Sequence, residues 1–346
     1  MIIKRPIMKR IRRQTGPTFL LAGLIGLSVA FTAVAAEKTE KGVYEYVVRK
    51  CTIDIGGATE ALVKGIQESS FRLIAQYDQA GPGNCSFRAR VFIVHEPGYA
   101  KKILSLNPLT GPFAIVDRIN LFEDEEGLHA AIVNPEGINR TVLMDDRENP
   151  DTSSHRDALR QLVRSAIPGE MSEKPFGPIR GKGYINRTMG VMAGGPFNEK
   201  IQTVFVGGGK SLAERAGQIE AELKKKGGKW QLGHVCTLIL EDEGVAVIGV
   251  SSPSVESRSF SIVKAGGDSS RDGLQCPGVA HAGAYPIEIV ISMRGAVSYI
   301  RILDTMYRMK MYFEDAGKIA FAKNMGMPGS IERSIRDIIL NACKQN

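Results

Sequence analysis

The sequence predicts an α+β protein of two tandem related modules, each a small mixed or antiparallel sheet with packed helices, followed by a helical C-terminal tail. Three observations carry this expectation. Period-two and period-3.6 segments follow one another in the same order in both halves, each half closes on a β-hairpin, and residues 304–346 show helical periodicity alone.

The chain opens on six basic residues (Lys4, Arg5, Lys9, Arg10, Arg12, Arg13) and no acidic one, then an apolar run from Phe19 to Val34 that ends in Ala33-Val34-Ala35-Ala36. That layout predicts an export signal over 1–36, cut after Ala35 or Ala36, with an uncleaved anchor as the alternative. The run is shorter than the ~20 apolar residues that span a bilayer, and no later segment reaches that length. The expected compartment is the periplasm or another exported space. Without the signal, 39 basic residues face 37 acidic ones, a net charge of +2 against +8 for the whole 346-residue chain. The only dense charge runs, Glu123–Glu126 and Lys224–Lys226, are short, so nucleic acid is not an expected partner.

The first module is placed at 37–144. Residues 43–54 alternate as a strand, and Ala58–Ser69 set Leu62, Val63 and Ile66 on one helical face. Phe71–Gln76 returns as a strand, Gly81–Asn84 turns, and Phe87–Val94 is a strand stopped by His95-Glu96-Pro97. A short helix, Tyr99–Leu106, leads to a hairpin of Phe113–Phe122 and Leu128–Val133 around an acidic tip, closed by Asn134-Pro135. Residues 145–187 form a linker with one helix, Arg156–Ile167. The second module, 188–303, repeats the order with a strand at 201–206, a helix at Leu212–Lys225, a strand at Val245–Val250 stopped at Pro253, a helix at Ser254–Ile262, and a hairpin of Tyr285–Ser292 and Ala296–Ile302. The tail, 304–346, holds helices at Asp304–Phe313 and Ile331–Cys343. Alternation further predicts Leu62, Ile66, Val91, Ile93, Ile115 and Ile119 in one core and Val245, Val247, Ile287 and Ile289 in another.

The segment Ala58–Pro135 resembles the domain of unknown function 302 family. What matches is the helix ahead of Ser70-Phe71-Arg72-Leu73, the strand ending Val94-His95-Glu96-Pro97-Gly98-Tyr99-Ala100, and the hairpin Arg118–Asp124 with its closing Asn134-Pro135. The family commonly has Cys or Asn where this chain has Glu96. The resemblance implies a small α+β domain and no particular activity.

His95, Glu96 and Tyr99 are the leading ligand-binding candidates, because the end of a strand and the start of a helix let polar side chains converge. A surface turn is the alternative for them. Val204 to Ser211 invites a phosphate-loop reading, but Val204 stands where that loop needs glycine, so a plain turn is expected. Met309, Met311, Met325 and Met327 are weak copper candidates, since thioethers favour Cu(I), but adaptable packing of the tail is the expected role. The five histidines lack HxH or HExxH spacing and no catalytic motif occurs, so no catalytic residue or cofactor is expected. Of the five cysteines, Cys51 with Cys85 and Cys236 with Cys276 are the economical disulfides, with all five reduced as the alternative. The expected function is an exported, non-enzymatic ligand-binding or accessory protein. Its partner would be a small ligand or a protein, a homodimer stays open, and the alternative is a redox or copper-handling protein.

Overall fold

Two antiparallel sheets, each grown around one of the hairpins expected from the sequence, frame the protein. The computed structural model describes residues 41–144, 149–180, 194–263, 271, 273–313 and 318–344, so the export signal expected at 1–36 lies outside them. Among the described residues, no helix is long and apolar enough to cross a membrane.

In the first half, β1 (Lys41–Arg49) leads to α1 (Ile55–Gln67), capped by Asp54, whose side chain accepts from the Gly57 amide. β2 (Arg72–Gln79) and β3 (Ala89–His95) precede α2 (Pro97–Leu106) and a 3-10 turn at Gly111–Phe113. β4 (Asp117–Asp124), β5 (Gly127–Val133), α3 (Pro135–Val142), α4 (Pro150–Ala166), β6 (Glu170–Met171) and β7 (Pro175–Arg180) complete it. The strand order is β2-β3-β4-β5-β1, with β6 and β7 both paired antiparallel on the far side of β1.

The second half runs β8 (Ile201–Gly208), α5 (Leu212–Leu223), β9 (Gly233–Leu240), β10 (Val245–Ser251), α6 (Pro253–Ile262), a 3-10 segment at Pro277–Ala284, β11 (Ile287–Arg294), β12 (Val297–Leu303) and α7 (Thr305–Phe313). Then come α8 (Lys318–Lys323) and α9 (Gly326–Lys344). Its strand order, β9-β10-β11-β12-β8, is that of the first sheet element for element. The helix expected in the linker is α4, and it packs on α1, where Gly65 lets the helices close: a Cβ there would stand 3.2 Å from Ala166 Cβ. The helix expected at the end of the tail is α9, and it packs on α5 in the same way, burying Ile331, Ile335 and Ile339. Their apolar stripes explain both positions, because a half-apolar helix gains by covering a sheet.

All ten predicted core residues are buried. Leu62, Ile66 and Ile119 lie in a cluster with α1 and α4, as expected of a module core. Val91, Ile93 and Ile115, however, share one continuous cluster with Val245, Val247, Ile287 and Ile289. The inner faces of both sheets are apolar and each sheet's own helices leave a face uncovered, so the faces bury each other, at roughly 25 cal/mol per Å² removed from water.

The halves also exchange segments. The turn at Gly111–Phe113 packs on β10 and β11, and Pro277–Ala284 packs on β3, β4 and β5. There Asn120 Nδ2 donates to the Ala280 carbonyl at 3.0 Å. Gly278 is required for this crossing, since a Cβ would stand 2.1 Å from the Phe260 carbonyl oxygen. Arg118 and Glu288, each the second residue of its strand, meet in a buried ion pair. Arg308 holds Glu288 with Nε 2.8 Å from Oε2 and gives Nη2 to the carbonyls of Ala284 and Pro286, both at 2.7 Å. Arg118 Nη1 donates to the Tyr312 hydroxyl at 3.0 Å.

The sulfur chemistry follows the same exchange and corrects the expected pairings. Cys85 is bonded to Cys276, with Cα atoms 6.0 Å apart and a sequence separation of 191, while Cys51, Cys236 and Cys343 are free. Pairs within each module would suit modules that fold apart. Here the β2–β3 loop reaches the start of the crossing segment, and Gln275 N donates to Glu125 Oε1 beside it at 2.6 Å.

Candidate ligand-binding site

Three Asn-Pro dipeptides punctuate the first half, at 107–108, 134–135 and 149–150, and each asparagine side chain satisfies backbone amides. Asn134 caps α3 and Asn149 caps α4, with Asn149 Oδ1 accepting from Asp151 N at 3.0 Å and Thr152 N at 3.2 Å. Asn107 ends α2 and accepts from the amides of Leu109 and Thr110. These caps bring the end of α2, α3 and the start of α4 together around a cavity of about 170 Å³, lined by Leu106, Asn107, Glu136, Asn139, Arg140, Leu143, Asn149 and Thr152.

The lining is polar yet charge-balanced. Glu136 is ion-paired with Arg140 at 3.7 Å and also contacts the Arg156 guanidinium. The side-chain oxygens of Asn107 and Asn149 are committed to capping, so their NH₂ groups are what they can offer a ligand. Asn139 Nδ2 donates to the Tyr99 hydroxyl, which leaves its oxygen as an acceptor. Leu106, 60% exposed, stands at the rim.

The sequence-predicted trio lies at this end of the first sheet, behind the cavity and not in its wall. Glu96 is the N-cap of α2, with Pro97 after it and its carboxylate accepting from the Tyr99 amide at 2.5 Å. His95 ends β3, buried, with Nδ1 3.2 Å from the Ile115 carbonyl oxygen and Nε2 without a hydrogen-bond partner. Burial lowers its pKa, so the ring is held neutral. Tyr99 is buried, its phenol pushed above the ordinary range by desolvation, and its ring stacks on His155 with centroids 3.7 Å apart. His155 Nε2 lies 2.8 Å from Asp117 Oδ2. Tyr99 thus reaches the cavity through Asn139. Sequence reasoning missed Asn107, Asn139 and Asn149, although the Asn-Pro pairs at 107 and 149 were a usable signal.

Elsewhere the chemistry is occupied. The turn from Gly207 to Lys210 enters α5 through a capping box in which Ser211 and Glu214 satisfy each other's amides, placing a carboxylate where a phosphate would sit. Asp124, Glu126 and His129 bring their ligand atoms within 4.8 Å of one another. The Lys50 amide donates to His129 Nδ1, so the neutral ring carries its proton on Nε2, toward Asp124 at 2.8 Å, and Arg49 covers Glu126. That tautomer offers a cation no lone pair. Of the copper candidates, Met309, Met311 and Met327 are buried core side chains, Met309 taking the Tyr285 hydroxyl on its sulfur at 3.8 Å, whereas Met325 is 40% exposed.

The fold and cleft define a two-sheet antiparallel α+β protein with a charge-balanced pocket at one sheet end. No family model matches the chain, and no curated protein matches it. Among solved structures it is similar to that of an uncharacterized conserved protein DUF302 from Bacillus stearothermophilus, at 10% identity over 36% of this chain and 95% of that one, with a TM-score of 0.28. That likeness is weak and carries nothing further.

Proposed function

We propose that this chain is an exported, non-enzymatic binding protein, built from two related modules of the domain of unknown function 302 type, that takes a small uncharged polar ligand in the cleft between α2, α3 and α4. The supporting observation is the lining itself: three asparagines, a neutralised Glu136–Arg140 pair and a leucine rim. Such a wall donates and accepts hydrogen bonds without selecting net charge, and about 170 Å³ suits a molecule of few heavy atoms, below the ~300 Å³ where drug-sized sites begin. The module reading rests on the shared strand order and on the residues from Ala58 to Pro135. Export rests on the N-terminal 36 residues.

A thermal-shift panel of small neutral amides and polyols against carboxylates and amines tests the proposal on the mature chain. Neutral compounds should raise the melting temperature, and Leu106→Glu, at an exposed rim, should abolish the shift without altering the unliganded melt. A response confined to charged compounds, or one untouched by Leu106→Glu, contradicts it.

A further inference from the structure

Each sheet has two edges, and an edge strand exposes unpaired N–H and C=O groups that recruit other strands unless they are covered, charged or interrupted by proline. Three of the four edges here are managed. β2 and β9 lie against each other across the seam, and β1 is covered by β6 and β7. β7 in turn carries Pro175 and Pro178, which cannot donate to a further strand. The fourth edge is β8. Among the described residues it pairs with β12 alone, although β8 holds the place in its sheet that β1 holds in the first. Its eight residues, Ile201–Gly208, contain neither a charge nor a proline. Thr203 is exposed, and Val206 is 52% exposed.

We propose that β8 is a dimerisation edge: two copies of this chain pair β8 antiparallel about a two-fold axis, joining their five-stranded second sheets into one. The occupant is a second copy for two reasons. An uncharged strand neither repels its own copy nor selects a charged partner, and antiparallel pairing about a two-fold needs only one self-complementary patch. The way β7 lies antiparallel on β1 supplies the geometry within the same molecule.

The test is light scattering of the mature chain across a concentration series, with amide hydrogen exchange on β8 at both ends of it. A reversible dimer is expected, with β8 amides protected when it is formed and released on dilution. Val206→Lys and Thr203→Lys should each weaken association at least tenfold while leaving the melt of the dilute monomer unchanged. A monomer at every concentration overturns the proposal, whether its β8 amides exchange freely or are shielded by another segment or partner. So does a dimer that both substitutions leave intact. The dilution series on the unmodified chain decides the matter if the lysine variants fail to fold.

Discussion

Glu256 sits where the halves meet, its carboxylate accepting from the Ala80 amide at 2.8 Å and from the Ser251 hydroxyl. Burial pushes its pKa up to about 7 against these hydrogen bonds. In the unfolded chain it titrates near an ordinary 4.5, so the unfolded state loses its proton first as pH rises. Stability from this group is therefore greatest below pH about 4.5, falls until pH about 7 and is level above. Glu256→Gln should flatten that decline and be the more stable protein at pH 8, by on the order of 1–3 kcal/mol. Urea midpoints from pH 4 to 9 measure it; parallel profiles would count against the assignment. Glu288 presents the opposite case, because it balances two buried guanidinium groups. Glu288→Gln leaves Arg118 and Arg308 uncompensated and should cost about 3–5 kcal/mol, read from the shift in denaturant midpoint.

At the scale of elements, periodicity and proline stops made most helices and hairpins legible, since a helix declares its buried stripe and Pro253 or Pro97 its start. The strand β9 did not declare itself: its burial is irregular, because it is an edge strand lying against β2. The linker and tail labels hid what α4 and α9 do, because periodicity reveals an apolar face and not which element covers it. The candidate site was half legible for a related reason. Polar residues at the end of β3 drew attention to His95, Glu96 and Tyr99, but the cavity wall is made by caps on helices distant in sequence. The crossing segment Pro277–Ala284 was invisible, lacking either period. Gly278→Ala tests its fit: with a Cβ driven into the Phe260 carbonyl, the melting temperature should fall by several degrees, whereas an equivalent change at the open Gly217 should not.

Across the whole molecule, two sheets of one strand order share a core, and their locks join residues far apart in sequence. Disulfides within each half were the economical expectation because periodicity gives no view of a seam between the two sheets. Cys276→Ser should remove about 2–5 kcal/mol of stability, given the long loop that the bridge closes, and calorimetry of oxidised protein would register it as a lower melting temperature. Occupancy of the cleft between α2, α3 and α4 is read by native mass spectrometry of protein taken from its own compartment without dialysis, compared with Asn139→Leu, which removes the acceptor that Tyr99 positions. A small neutral molecule retained at one per chain, and lost in the variant, is the predicted result; wild type with nothing bound, or both proteins carrying the same mass, would contradict it.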